Sequence, residues 1–378
     1  MNTLLHRDLQ DWQRIGGADT AEEIAQQAQL WRALAQSLAG EKAGISAFLG
    51  TWLNEAGNRV ILTGAGSSAF VGEIAVDEIN SAWPAQVRCV ATTSLLTHPE
   101  LYLDDAPTLL VSFARSGNSP ESLAAVDLLR QRLKAPRFLN ITCNAQGRLA
   151  LQAQGRADSL NLLMPPASCD RGFAMTSSFS CMLIAALCVL GGQHDAPRRI
   201  TALADRAEAA LQAWAQPIAK LACEPFERII YLGSGPLEAL AKEGALKVLE
   251  LSAGRALAMA NTPLGFRHGP KSALNRASLV LMLRSAKPVV QRYEQDLIDE
   301  LRRDGIARCL SIGPAATGAD LNAVAPEGMS DAWLAPLWLL GAQLFSLNKS
   351  AALGLTPDNP FPDGTVNRVV QGVTIHEH

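Results

Sequence analysis

The chain has 378 residues, 48% of them hydrophobic and 18% charged, with a formal net charge of −3. That is enough apolar material for two domains with cores of their own, and it excludes a disordered chain. With 33 Lys and Arg against 36 Asp and Glu and no basic run, there is no field for nucleic acid, so an anionic partner must be small and held locally.

The seven cysteines, Cys89, Cys143, Cys169, Cys181, Cys188, Cys223 and Cys309, are odd in number and scattered, with no C-x-x-C. They suit reduced thiols and a cytoplasmic protein. The N-terminus, MNTLLHRDLQDW, lacks the apolar core of a signal peptide. Residues 177–192 and 332–347 are nearly uncharged, but each falls short of the roughly 20 apolar residues of a membrane span. Both are expected to be buried helices, and no membrane partner is expected.

In chain order, residues 19–40 predict a helix with Asp19 or Thr20 as N-cap and Ile24, Leu30, Trp31 and Leu34 on one side. A second helical stretch, 45–55, leads to the strand RVILTG, whose continuous apolar run suits a strand covered on both faces. Gly64-Ala65-Gly66-Ser67-Ser68-Ala69 then turns into a helix running through Glu73 and Ile79, with backbone N–H groups aimed at an anion. This hexad fits G-x-G-x-x-G/A, so a dinucleotide site has to be weighed. Such a site expects an acidic residue about 20 positions on, at the end of the second strand. The second strand here, VRCVAT, ends in Thr92, Thr93 and Ser94, and hydroxyls suit a phosphate or sugar better than a nicotinamide nucleotide.

The third strand, PTLLVSF, runs into Ala114-Arg115-Ser116-Gly117-Asn118-Ser119-Pro120 and a helix. A cation, hydroxyls and a glycine at a helix start can cradle a phosphate, with Arg115 adding charge. A plain Ser/Asn helix cap would use the same residue types. Two hydroxyl-rich loops at the carboxyl ends of strands favour a ligand, because open parallel sheets bind there. RFLNITC, LNLLMP and GFAMTSSFS follow, placing Asn144, Thr176, Ser177 and Ser178 as further candidates for the cleft.

GGQHDAPRR at 191–199 is the expected linker. Beyond it a strand–GSG–helix unit recurs about 170 residues after RVILTGAGSS, followed by strands RALAMA, SLVLMLR and ARCLSIG. This is a repeat of fold rather than of sequence. The expectation is an α/β protein of two doubly wound parallel-sheet subdomains with a helical lead-in. Its divisions are 1–44 helical extension, 45–198 first subdomain with phosphate-binding loops, 199–360 second subdomain with the catalytic residues, and 361–378 a tail near the active site.

The densest candidate for chemistry is 228–271. The strand RIIYLG breaks at Gly233 and Gly235, Pro236 suits a helix's first turn, and the helix carries Glu243, Lys247 and Glu250 at i,i+4 and i,i+3 spacing. A solvated salt-bridge row is the ordinary outcome of such spacing. Glu250, however, lies between Leu249 and Leu251, where burial would favour its protonated form and suit acid/base work. His268-Gly269-Pro270 follows in a loop, and a lone histidine is usually packing or surface. His376 and His378 flank one glutamate at the end of the chain, a poor metal site without a third structured ligand. No metal is expected.

With these residues in place, the chain resembles the sugar isomerase (SIS) family of phosphosugar isomerases and binding domains over nearly its whole length. The nearest likeness is to its bacterial galactosamine-6-phosphate deaminase/isomerase branch, also named for tagatose-6-phosphate ketose/aldose isomerase. EEIAQQ, ILTGAGSSAF, SFARSGNSPES, DRGFAMTSS, ALKVLELSAG, GFRHGPKS and GTVNRVVQGV carry it, in order. The resemblance implies two flavodoxin-like SIS subdomains and no cofactor. Through the more distant isomerase half of glucosamine-6-phosphate synthase it also implies residue roles. Ser116 and Ser119 hold phosphate within the loop of Arg115 and Asn118, Ser67 and Ser68 line the site, Glu250 moves a proton between C1 and C2 with help from Lys247, and His268 opens the sugar ring. Asn144, Ser177 and Gln371 are possible sugar contacts, but Gln371 stands where the synthase has a lysine, so a Schiff-base role is not carried over. The implied activity is conversion of galactosamine-6-phosphate to tagatose-6-phosphate and ammonia, in a cytoplasmic homodimer or homotetramer whose sites are shared between subunits. The alternatives are an aldose–ketose isomerase without deamination and a non-catalytic phosphosugar sensor. For a sensor, the short acidic lead-in lacks a basic recognition helix.

Overall fold

A computed structural model describes residues 3–192, 195–370 and 372–376. The chain begins with a short antiparallel ladder of β1 (Thr3–Leu4) and β2 (Arg7–Asp8), followed by helices α1 (Leu9–Ile15), α2 (Ala18–Ala25) and α3 (Gln27–Leu49). The first sheet and its helices run β3 (Arg59–Thr63), α4 (Ser67–Ala82), β4 (Gln86–Cys89), α5 (Thr92–Thr97), β5 (Thr108–Ala114), α6 (Pro120–Arg132), β6 (Arg137–Thr142), α7 (Arg148–Ala153), β7 (Ser159–Leu163) and α8 (Ser177–Leu190). The second set runs α9 (Ala196–Ala222), β8 (Arg228–Leu232), α10 (Pro236–Leu251), β9 (Leu257–Asn261), α11 (Pro263–Phe266), β10 (Ser278–Leu283), α12 (Pro288–Asp304), β11 (Arg308–Pro314), β12 (Leu321–Ala323) and α13 (Asp331–Ala352).

Both sheets are five-stranded and parallel, ordered β4-β3-β5-β6-β7 and β9-β8-β10-β11-β12. Counted within each sheet, both orders are 2-1-3-4-5, the flavodoxin-like arrangement that puts a ligand crevice at the carboxyl ends of the first and third strands. The central strands β5 and β10 are buried along their whole length, as the continuous apolar runs require of strands sandwiched by helices. Ile61, Leu110, Leu129 and Phe138 centre one core, and Ile230, Val280, Met282 and Leu297 another. The nearly uncharged segments are the buried helices α8 and α13, and among the described residues no helix is long and apolar enough to cross a membrane.

The two compact units are not continuous segments of chain. One comprises Met1–Gln29, Asp170–Thr176 and Arg199–Asp363, the other Leu30–Cys169, Ser177–Arg198 and Gly364–His378. Of the divisions at 44/45, 198/199 and 360/361, only the second coincides with a unit boundary, and that boundary falls inside α9 rather than in a linker. Pro197 lies in the first turn of α9, where its missing N–H costs nothing.

Other local expectations change. Thr92, Thr93 and Ser94 open helix α5 instead of ending a strand. The helix expected over 19–40 is two helices meeting at Gln26, and the second continues to Leu49. Neither Asp19 nor Thr20 is the N-cap of α2; Gly17 is, and it has no side chain to offer. Instead the Asp358 carboxylate accepts the N–H groups of Asp19 (3.2 Å) and Thr20 (2.8 Å) and the Thr20 hydroxyl (2.7 Å). A cap from over 300 residues away cannot be found by scanning the helix's own flank.

Within the same unit, Glu23 of α2 is 2% exposed and accepts the backbone N–H groups of Arg171 and Gly172. Burial, and then the negative charge of buried Asp170, push its carboxyl up to about 8, against the two backbone donors and the Arg171 guanidinium. A carboxyl raised in the folded state favours folding at pH below its unfolded value of 4.5, and that contribution is lost as pH rises through about 8. Glu23→Gln keeps an acceptor for both N–H groups and removes the titration. Its melting temperature relative to the parent protein should therefore climb between about pH 5 and pH 8. Parallel pH profiles in thermal scans would contradict this.

Candidate active site

The strand-to-helix turns at β3/α4 and β8/α10 are built alike. The cap residues Gly66 (φ 57°, ψ −131°) and Gly235 (φ 57°, ψ −128°) share one positive-φ conformation, which side-chain-bearing residues avoid. Neither helix has a side-chain cap; the turn itself supplies acceptors, with Ser68 and Ala69 N–H donating to the Ala65 and Gly66 carbonyls (3.2 and 2.9 Å) and Leu237 and Glu238 N–H to those of Ser234 and Gly235 (3.1 and 2.9 Å). Ser67 and Ser68, the first two residues of α4, are 5% and 7% exposed.

The loop after β5 is held open by its own hydrogen bonds. Asn118 N–H donates to Ser116 Oγ (3.2 Å), Asn144 Nδ2 to the Ser116 carbonyl (2.9 Å), and Arg148 N–H to Asn118 Oδ1 (3.0 Å). Ser119 is the N-cap of α6, yet its side chain makes no cap hydrogen bond, which removes the plain-cap account of that hydroxyl. Arg115 is 8% exposed and donates from Nη2 to the Arg368 carbonyl (2.9 Å). The structure therefore gathers Arg115, Ser116, Asn118, Ser119 and Asn144 into one local assembly, in which Asn144 braces the loop.

In the other unit, α10 presents Glu243, Lys247 and Glu250 as expected from their spacing, but they are not a solvated row. Lys247 and Glu243 have side chains 1% and 0% exposed, with Nζ 3.3 Å from Glu243 Oε1 and 2.6 Å from Glu250 Oε2. Burial alone would lower the Lys247 ammonium, but the charges of Glu243 and Glu250 and their hydrogen bonds outweigh it and the net shift is upward. The burial expected of Glu250 belongs instead to Glu243. Glu250 is one residue from the helix end and its side chain remains 25% exposed, whereas Glu243 lies mid-helix with its side chain sealed.

His268 follows α11 on an exposed loop, and its imidazole has no hydrogen-bond partner among the described residues. Its backbone is placed more firmly: His268 N–H donates to the Gly265 carbonyl (3.0 Å), and Gly269 takes φ 124°, a conformation favouring glycine. Glu300 of α12 pairs with Arg267 (2.9 Å) and Lys271, which also reaches Asp304 (3.0 Å). This clamp on both sides of His268 was not read from the sequence. Its only signal was Glu300 and Asp304 at i,i+4, facing a loop more than 28 residues earlier.

The remaining candidates are spread out. The Thr176 hydroxyl donates to Asp170 Oδ1 (2.8 Å), and Ser177 and Ser178 are fully buried at the start of α8. Gln371 and His378 lie outside the described residues. Among the described residues no group of three or more His, Cys, Asp or Glu could hold a metal ion.

No family model matches the chain. It is 42% identical to D-galactosamine-6-phosphate deaminase AgaS of Escherichia coli over 372 residues, 95% of this chain and 96% of that protein. It is 40% identical to the protein of the same name from a Shewanella species, over 96% of this chain and 93% of that one. The crystal structure of tagatose-6-phosphate ketose/aldose isomerase from Escherichia coli matches with a TM-score of 0.88 at 37% identity, covering 96% of this chain and 97% of that one.

The α10 triad has a testable energetic signature. Lys247→Met keeps the apolar stem but strands the Glu243 carboxylate, and breaking a buried pair from one side costs about 3–5 kcal/mol. Adding Glu243→Gln removes the stranded charge and should recover much of the loss in denaturant unfolding. Equal stabilities for the single and double variants would show that the triad is not coupled.

Proposed function

This chain belongs to the AgaS family of D-galactosamine-6-phosphate deaminases, and from that premise we propose that it converts galactosamine-6-phosphate and water to tagatose-6-phosphate and ammonia, using Glu250, Lys247 and His268. The observation that carries the assignment of residues is the Lys247–Glu250 pair. A carboxylate held at 2.6 Å by a buried ammonium, with a quarter of its side chain still exposed, is fixed in orientation and open to a substrate proton.

His268 protonates the ring oxygen as the C1–O5 bond breaks, giving the open-chain aldehyde. Glu250 takes the proton from C2 to form an enolamine and returns it to C1; one base serving two adjacent carbons requires a planar intermediate. Lys247 offsets the charge developing on the C1 oxygen. Water then adds to the C2 ketimine and ammonia leaves, so the only other reactant is water. The phosphate is held by Ser116 and Ser119 with the amides of their loop, and Ser67, Ser68 and Arg115 complete the anionic subsite. Support for this part is the Ser119 hydroxyl, which makes no cap hydrogen bond to α6. A plain aldose–ketose isomerisation uses the same groups and is favoured as a second reading by the match to the tagatose-6-phosphate isomerase structure. Ammonia release measured in parallel with galactosamine-6-phosphate and glucosamine-6-phosphate separates the readings. Release from the galacto substrate at a kcat/KM at least tenfold above that from the gluco substrate is expected. Ketose formation without ammonia would leave only the isomerase.

The protein acts in the cytoplasm, a reading supported by seven free cysteines. It works as a homo-oligomer whose sites combine Glu250 from one subunit with His268 from another, supported by an exposed imidazole with no partner among the described residues of its own chain. Mixing inactive Glu250→Gln with inactive His268→Ala under conditions of subunit exchange should restore activity, because a shared site can then receive both native residues. No recovery, with exchange shown by mass, would place both residues in one subunit.

A further inference from the structure

The loop after β10 repeats the chemistry of the loop after β5. Each follows the third strand of its sheet and leads to a helix with proline at its first position: Ala114-Arg115-Ser116-Gly117-Asn118-Ser119-Pro120 in one unit, Leu283-Arg284-Ser285-Ala286-Lys287-Pro288 in the other. The Arg-Ser step is common to both, and both arginines are buried, at 8% and 4% exposure. The local fold is common too. Asn118 N–H donates to Ser116 Oγ at 3.2 Å, and Lys287 N–H donates to Ser285 Oγ at 3.0 Å, each from two residues on. Both loops thus turn a serine hydroxyl and backbone amides the same way.

They differ in what meets the donors. In the loop after β10, Ser285 Oγ donates to Asp331 Oδ2 (2.5 Å), Ala286 N–H to Asp331 Oδ1 (2.7 Å), Ser285 N–H to Glu294 Oε1 and Oε2 (3.1 and 3.2 Å), and Arg284 Nε to Glu294 Oε2 (3.1 Å). Arg284 also donates to Gln295 Oε1 (2.9 Å) and the Gln291 carbonyl (3.3 Å). Asp331 and Glu294 are 4% and 0% exposed, so these carboxylates meet the donor set from inside the protein. A hydroxyl, two amides and a guanidinium are the donors that recognise a phosphate monoester, and here carboxylate oxygens occupy them.

We infer that the loop after β10 is a second phosphate cradle closed by the chain's own carboxylates, Asp331 and Glu294 standing in for phosphate oxygens, so that each chain binds one phosphosugar rather than two. This rests on the proposed phosphate role of the loop after β5, and the test separates the two. Inorganic phosphate bound per chain is counted by equilibrium dialysis. The parent protein should bind one, lost in Ser116→Ala/Ser119→Ala. Asp331→Ala/Glu294→Ala, which removes both carboxylates, should bind two, and adding Ser285→Ala should return the count to one. A parent count of two, or a folded Asp331→Ala/Glu294→Ala that still binds the parent number, would overturn the inference. A parent count of zero removes the role of Ser116 and Ser119, while an extra phosphate in Asp331→Ala/Glu294→Ala, lost with Ser285→Ala, would still establish the cradle. Should that variant fail to fold, Asp331→Ser/Glu294→Gln keeps small or isosteric polar residues at both positions and carries the same two outcomes. In either variant phosphate should raise the melting temperature more than in the parent at equal ionic strength; an identical rise counts against the cradle.

Discussion

An ammonium taken out of water must be met by negative charge inside the protein, and much of the chemistry of this chain hangs on how Lys247 meets that requirement. The solution needs a helix, because only 3.6-residue periodicity stacks positions 243, 247 and 250 on one stripe. It needs that helix covered, which the packing of α10 on α13 provides. Along that stripe the exposure differs: Glu243 is sealed while Glu250 keeps an open edge. The two carboxylates thereby differ, one balancing charge in the interior and one keeping part of its side chain exposed.

A second constraint comes from the parallel sheet. Each strand delivers the chain to a helix N-terminus at the same edge, so uncapped amides collect there. The protein deals with these amides in different ways. At Gly66 and Gly235 a positive-φ glycine leaves the first turn without a side-chain cap. After β5 a hydroxyl-rich loop leaves Ser119 uncommitted, and after β10 buried carboxylates consume the donors. The same architecture can offer an anion site or close it, depending on whether a carboxylate from a later helix reaches in.

Polar links between distant parts of the chain also decide which segments belong together. Asp358 caps α2, Glu23 of α2 holds the backbone at Arg171 and Gly172, and Gln27 donates to Gln343 of α13 at 2.7 Å. Buried polar groups of this kind are costly unless paired, so each pins a register that apolar packing alone would leave looser. Helices α1 and α2 are in this way members of the unit holding the second sheet, while α3 from Leu30 onward belongs to the other unit.

Local signals carried a large part of this protein. Continuous apolar runs determined the strands from RVILT to SLVLML, and paired glycines located both strand-to-helix turns. Seven ordered motifs pointed to the family, and helical spacing alone placed Glu243, Lys247 and Glu250 on one face. What sequence could not decide were the consequences of contacts between segments far apart. That Glu243 rather than Glu250 is sealed depends on the tertiary packing around α10. That Gly17 needs no side-chain cap depends on Asp358, that His268 is braced depends on Glu300, and that the Ser285 hydroxyl is spent depends on Asp331. Hydrogen bonding and desolvation act over a few ångströms whatever the separation along the chain, so a residue's spacing to its neighbours determines its helix face, while its charge state, exposure and partners wait on the fold.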